Sequence, residues 1–202
     1  MTAVMRRLAC LFVALVAIVA PNLAAADLQQ LSSAAYEYRN NLYSVPPSSG
    51  DYEQLRAQLD DLMAGTDQAA AETLAEGMVP AGYENYDLWR SLFEIKTKLG
   101  KGLDAAYAAY LASDYAPDPA AKAEAFKLLG QALEQIKRPS EALDAYDQAV
   151  SLTQDADARE SYKRLSRTIP FQVASTEVAT EGDRPDACIV FDRRILGTRQ
   201  LA

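Results

Sequence analysis

From Leu28 to about Arg167 the apolar residues recur at three- and four-residue steps, the spacing that gathers them on one face of a helix. Leu28, Leu31, Ala35, Tyr38 and Leu42 form the first stripe, and Pro46-Pro47-Ser48-Ser49-Gly50 stops it in a loop. Tyr52, Leu55, Leu59 and Leu62 restart the rhythm, and Gly65 is expected to end that helix in the left-handed conformation, where it meets no Cβ clash. Ala71, Leu74, Ala75 and Met78 predict a helix that ends before Pro80-Ala81-Gly82. Leu88, Leu92, Ile95 and Leu99 line the next face, widened by Trp89 and Phe93. Gly100 and Gly102 mark a short turn, and Leu103, Ala106, Tyr110 and Leu111 return on a following helix.

Asp118-Pro119 opens another helix, with Asp as N-cap and Pro in the first turn. Phe126, Leu129, Leu133 and Ile136 are its expected buried face. The chain restarts at Pro139-Ser140 with Ala142, Leu143, Tyr146, Ala149 and Val150, and a last helix from about Asp155 carries Ala158, Tyr162, Leu165 and Ile169. At Pro170 the period changes. Phe171, Val173, Ser175, Glu177 and Val178 fall in a stretch rich in β-branched residues, Glu181-Gly182-Asp183-Arg184-Pro185 has turn composition, and Ala187-Cys188-Ile189-Val190-Phe191 is a short run of strand type. Two strands alone are marginal in water, so the pair is expected to be the opening of a truncated β domain. The predicted organisation is a leader over 1–26, a helix and linker over 27–50, helical-hairpin repeats over 51–168 and the first strands of a β domain over 169–202. The fold class is mainly α.

Successive helical pairs call for a repeat comparison. Phe126, then Leu129 and Gly130, then Ala142, Tyr146 and Ala149 on the following helix resemble the tetratricopeptide pattern, with Gln154 where that pattern carries Pro. Trp89, Leu92, Ala105, Ala112 and Pro117 fit the same frame, with Phe93 and Ala109 as departures at its Gly and aromatic places. The pair from Leu55 to Met78 fits poorly and is expected to be a divergent repeat. A generic antiparallel helical bundle shares much of this packing and stands as the alternative. In tetratricopeptide repeats the first helix of each pair lines the concave face. The aligned positions here are Asp87, Arg90, Glu94 and Thr97, then Glu124, Lys127, Gln131 and Glu134, all polar. They form either a peptide groove or a solvated helix face.

Composition narrows the chemistry. Arg6 and Arg7 followed by apolar Leu8–Ala20, a Pro21-Asn22 break and Ala24-Ala25-Ala26 read as a secretory leader cleaved near Ala26. The apolar run falls short of the roughly 20 residues a spanning helix needs, so no stable membrane insertion is expected once the leader is removed. Cys10 sits at the start of that run rather than after it, which argues against lipid attachment. Loss of Arg6 and Arg7 takes the net charge from −8 to −10, a balance that disfavours nucleic acid and anionic membranes. There is no histidine, so Ser-His-Asp, Cys-His and His-ligated zinc sites are excluded. Cys188 alone survives leader removal and cannot close an internal disulfide; it reads as a small apolar strand residue. Glu84, Asp87 and Glu94 are the carboxylates an acid–base enzyme would draw on, yet they fall at helical surface spacing with no glycine-rich or metal motif beside them.

The last third carries a more particular likeness. Ala158 to Leu165 with Tyr162 and Leu165, then Pro170-Phe171-Gln172-Val173, then Asp183-Arg184-Pro185-Asp186-Ala187-Cys188-Ile189-Val190-Phe191, resembles the N-terminal region of bacterial alpha-2-macroglobulin family proteins. In that family a leader and Ala-rich helical repeats precede the first β-sandwich domains. Asp192-Arg193-Arg194-Ile195-Leu196 departs from the usual continuation, and no apple-like domain precedes the repeats. The resemblance implies periplasmic endopeptidase inhibition by the full-length proteins, through a bait region and, in many members, a Cys-x-Glu-Gln thioester. That motif does not occur in these residues, and Cys188 is followed by Ile189-Val190. The expectation is therefore a non-catalytic docking scaffold, periplasmic or secreted, without cofactor or metal, whose partner is a protein, either a protease or an envelope component. A stand-alone periplasmic repeat protein that mediates protein–protein interaction is the alternative.

Overall fold

The computed structural model describes residues 23–170 and the backbone of 173–179 and 186–191; side chains are described over 28–170. The expected leader lies outside the described residues except for its last positions, Leu23–Ala26, which form the first turn of a helix. Among the described residues eight helices follow one another: α1 Leu23–Leu42, α2 Tyr52–Ala64, α3 Gln68–Met78, α4 Tyr86–Lys98, α5 Gly102–Asp114, α6 Pro119–Gln135, α7 Pro139–Thr153 and α8 Ala156–Thr168. From α2 onward each packs on the next, giving consecutive hairpins α2–α3, α4–α5 and α6–α7 with α8 laid on α7. The helix α1 is the exception. It crosses the returning helices α5 and α7, distant in sequence.

The hairpins share a frame that the caps make visible. Asp51, Asn85, Asp118 and Asp155 stand 34, 33 and 37 residues apart, and each accepts a hydrogen bond from the backbone N–H three residues on, at Gln54, Leu88, Ala121 and Ala158. Each cap satisfies one of the N–H groups that a helix start leaves without an internal partner, which stabilises by about 1 kcal/mol. The turn inside the second and third hairpins is the same turn. Lys101 N–H donates to Lys96 O and Gly100 N–H to Thr97 O; 37 residues later Arg138 N–H donates to Leu133 O and Lys137 N–H to Glu134 O. Both turns need a left-handed residue, Gly100 at φ +72° and Lys137 at φ +60°. The long bond that closes each turn is the Schellman arrangement.

On the returning helices the buried columns also repeat. Ala71, Ala105 and Ala142 form one column, Ala75, Ala109 and Tyr146 the next, and Met78, Ala112 and Ala149 a third, all buried. The α2–α3 pair, which its sequence matches poorly, therefore occupies the same frame as its neighbours. The Ala columns let helices approach closely, and one place shows how close. A Cβ added to Gly130 would lie 2.7 Å from the Tyr146 ring, so the glycine is required by the large residue facing it. Leucines at 0 % exposure, Leu59, Leu92, Leu111, Leu129 and Leu133, fill the space between hairpins, each contributing about 2 kcal/mol of apolar burial.

Two helix ends differ from expectation. Gly65 is not left-handed but extended, at φ −82° and ψ −167°, with its N–H on Asp61 O and Leu62 O. The reason is the short passage to Asp67, the cap of α3, which an extended residue spans directly. Gln154, where the resembled pattern carries Pro, is left-handed at φ +57°. Proline is locked near φ −65° and cannot take that conformation.

The last described helix packs on α7. Ala158, Tyr162 and Leu165 are buried against α7, while the other residues of α8, Ala156 apart, are charged or polar. Beyond it the backbones of β1 (Val173–Ala179) and β2 (Asp186–Phe191) run antiparallel, with Ala179 opposite Asp186 and a register irregularity between Val173 and Ser175. Phe171, Gln172, the 181–185 turn, the stretch from Asp192 to Ala202 and the side chain of Cys188 lie outside the described residues.

Candidate protein-binding surface

The polar positions singled out above lie on α4 and α6, and the structure sorts them into two facets, one shared with α2 and the other with α8. On the first, Asp87, Arg90 and Glu94 of α4 line a cleft of about 250 Å³ with Arg56, Asp60 and Met63 of α2. Its walls are held by internal pairs. Arg56 Nη2 donates to Asp60 at 2.6 Å, Arg56 Nη1 donates to Ser91 Oγ at 2.9 Å, and Arg90 Nη2 sits 3.3 Å from Glu94. Asp87 is exposed at the cleft mouth. Thr97 lies two turns beyond Arg90, where its hydroxyl is buried without a hydrogen-bond partner.

On the second facet the residues of α6 turn towards α8. Lys127 Nζ is 2.7 Å from Glu124 and 3.6 Å from Asp155, the α8 cap. The Glu124 hydrogen bond, ahead of a smaller opposing effect of burial, raises the Lys127 ammonium above the usual lysine range. Glu134 accepts from Arg164 of α8 at 2.7 Å and from Tyr146 Oη at 2.9 Å. Arg164 foremost, with Tyr146, holds the Glu134 carboxyl below the usual range against its partial burial. Gln131 is exposed. Tyr86 joins the two facets: burial first raises its phenol, and Arg90, Glu124 and Asp87 all act on it. The surface thus presents fixed, mutually oriented charges rather than loose side chains. Such pre-ordering lowers the entropy lost when a partner binds.

The opposite side of the hairpins is covered. Leu31, Ala35 and Leu42 of α1 are buried, and Tyr38 packs on Tyr107 of α5 with ring centroids 5.7 Å apart. The far end of α1 is pinned by Arg39, which donates from Nε and Nη2 to both oxygens of Glu84 at 2.6 and 2.7 Å, and by Tyr43 Oη on the same carboxylate at 2.7 Å. Burial alone would raise the Glu84 carboxyl, but Arg39 and Tyr43 together hold it below the usual range. Tyr36 Oη donates to Asp114 at 2.6 Å, and that bond pushes the phenol up to about 12. Glu84 is therefore engaged with α1, whereas Asp87 and Glu94 share the α2–α4 cleft; the three do not converge on one opening.

The sequence reading missed one charged group inside the stack. Lys96 of α4 is 3 % exposed, 2.6 Å from Glu72, in a closer contact with Glu76 and 3.6 Å from Asp104, with the Tyr38 ring centroid 5.6 Å from its Nζ. Burial works against its charge, but Tyr38 and the Glu72 and Glu76 hydrogen bonds raise its pKa above the ordinary lysine value. Glu72 is pushed up by burial and pulled below its usual range by Lys101 and Lys96. Two signals pointed there: a lysine set into the Leu92–Ile95–Leu99 stripe, and a Glu pair four residues apart on the short α3. Among the described residues no group of His, Cys, Asp and Glu side chains is placed to hold a metal ion, and no helix is long and apolar enough to cross a membrane. Comparison with protein-family models, curated proteins and solved structures finds no match to this chain.

Proposed function

We propose that this chain is a non-catalytic docking scaffold built of tetratricopeptide-type hairpins, whose first-helix face binds a protein partner. One observation carries the reading. The returning-helix side is occupied by α1, while among the described residues no further helix is packed over the side formed by α2, α4, α6 and α8, which is lined by ordered polar side chains. The tetratricopeptide assignment draws support from the repeated caps and turns, and from Gly130 facing Tyr146, two positions that the pattern pairs as small and aromatic. The leader composition supports export to the periplasm or beyond.

We further propose that the scaffold forms the front of a macroglobulin-like endopeptidase inhibitor. The support is the order of elements after Ala158: Tyr162 and Leu165 on α8, Val173 opening one strand, and Ala187 to Phe191 on the next. A stand-alone periplasmic repeat protein is favoured by a different observation, the polar outer face of α8, which suits the end of an array.

Reversing charge on the open face tests the shared part of both readings. Arg90→Glu combined with Lys127→Glu should weaken capture of a partner from periplasmic extract at least tenfold relative to Arg90→Gln combined with Lys127→Gln, which removes the same internal pairs without reversing charge. Unchanged capture would remove the open face as the docking surface. Residues 27–202 alone should leave endopeptidases uninhibited; inhibition by this piece would contradict the scaffold role.

A further inference from the structure

We propose that α1 is a detachable strap. It opens as its own cooperative unit, and the seam it vacates across α5 and α7 accepts the α1 of a second copy of this chain. This goes beyond the docking role of the open face and does not rest on it.

Four observations support the strap. First, α2 to α8 pack as consecutive hairpins that close on one another, whereas α1 is held by helices remote in sequence. Its removal leaves every hairpin contact intact. Second, α1 leads into Val45-Pro46-Pro47, and the chain is anchored again at Ser48, whose N–H donates to Gly77 O at 2.8 Å and whose hydroxyl donates to Leu74 O at 3.1 Å. A hinge thus lies between a separable helix and a fixed point. Third, α1 underfills its seat. A cleft of about 310 Å³ remains at its leading half, where Leu28, Gln29 and Ser32 face Tyr110, Phe126 and Gln148. The opening is wide enough to hold water, so the apolar surface of α1 that faces it stays hydrated and gains no burial. Fourth, the polar pinning is concentrated at the trailing end, on Glu84 and Asp114, while Tyr38 Oη is buried with no hydrogen-bond partner. An element held only through non-local contacts, with part of its face hydrated and a buried hydroxyl lacking a partner, opens below the global unfolding free energy.

The occupant follows from the seat itself. Leu28, Leu31, Ala35, Tyr38 and Leu42 already present the spacing that the α5–α7 seam receives, so a vacated seam is complementary to the same helix from another copy, a helix-in-groove mode reached by exchange of an identical element.

Hydrogen exchange on the purified full chain, with a labelled synthetic peptide of residues 27–44 as the probe, tests this. Amides of 31–42 should exchange at least tenfold faster than those of α5 and α7, and the peptide should bind. A disulfide between Ser32→Cys and Gln148→Cys, in a Cys10→Ser, Cys188→Ser background, should abolish peptide binding, and reduction should restore it. Arg39→Ala, which removes the pin without touching the core, should raise peptide affinity about tenfold. Exchange of α1 in step with α5 and α7 overturns the proposal, as does a peptide that fails to bind or that binds the locked and reduced forms equally.

Discussion

The hairpins α4–α5 and α6–α7 use one backbone frame and fill it in opposite ways. In α6–α7 the first helix gives up its side chain at Gly130 and the returning helix supplies Tyr146. In α4–α5 the equivalent positions hold Phe93 and Ala109, both buried, so the large residue comes from the first helix and the small one from the second. One turn on, the contrast is of charge. Leu133, at 0 % exposure, makes the apolar floor of α6–α7, while its counterpart Lys96 brings an ammonium to the same depth and gathers Glu72, Glu76 and Asp104 around it. The lesson is that the frame conserves backbone turns and paired volume, while residue identity and buried charge differ. A repeat whose large and small places are exchanged still packs, provided the partner position changes with it.

The largest effect should come from emptying the aromatic seat. Tyr146→Ala removes a buried ring and its hydrogen bond to Glu134, and should lower unfolding free energy by about 4 kcal/mol in urea denaturation. Adding Gly130→Phe to that variant imitates α4–α5. It should recover at least half of the loss, whereas Gly130→Phe alone should fold poorly. A double variant no better than the single would break the equivalence of the two hairpins.

Next in size is the charged floor. Lys96→Met leaves Glu72 and Glu76 without their buried partner and should be destabilising by about 3 kcal/mol. Glu72 keeps Lys101 at 2.7 Å, so further exchange of Glu76 for Met should restore most of the loss and make this hairpin resemble α6–α7. Chemical denaturation of the single and double variants measures both steps.

Acid should separate the same regions. Glu72 and Glu84 have carboxyls held below their ordinary value in the folded chain, so each contributes stability that is present above about pH 4.5 and is lost as pH falls through the lowered folded value. Glu134 behaves likewise on the α6–α8 side. The urea midpoint should therefore fall steadily below about pH 4.5, with Glu84→Gln flattening the decline. An acid limb unchanged in that variant would contradict the role given to Arg39 and Glu84 in pinning α1.

The smallest effect concerns the turns. Lys137 takes the left-handed place that Gly100 fills in the preceding hairpin, so Lys137→Gly should raise stability by about 1 kcal/mol by removing the clash of a left-handed Cβ. A matching loss on Gly100→Lys would show that both turns impose the same backbone.

Much of the helical layout was legible in the chain because stripes of Leu and Ala at helical spacing allow few alternatives, and because Asp118-Pro119 and Asp155 announce their helices through local hydrogen bonding. The α2–α3 pair was legible only as a poorly fitting, divergent repeat, since its packing columns hold Leu55, Ala75 and Met78 where the pattern carries other residues. The polar face was legible as a set of positions. Its division into a cleft shared with α2 and a ladder shared with α8 was not, because Arg56 and Arg164 lie far from Arg90 and Glu134 in sequence.

The sequence by itself determined the helical period, the cap positions and the exclusion of histidine chemistry, because each depends on residue type or on neighbours within a few positions. Only tertiary structure decided that α1 covers the returning helices, that Lys96 is a buried hub and not a surface charge, and that Gly130 answers Tyr146. Those outcomes depend on which non-local surfaces meet. Side-chain volume and the need to satisfy each buried polar group choose among them only after the helices have come together.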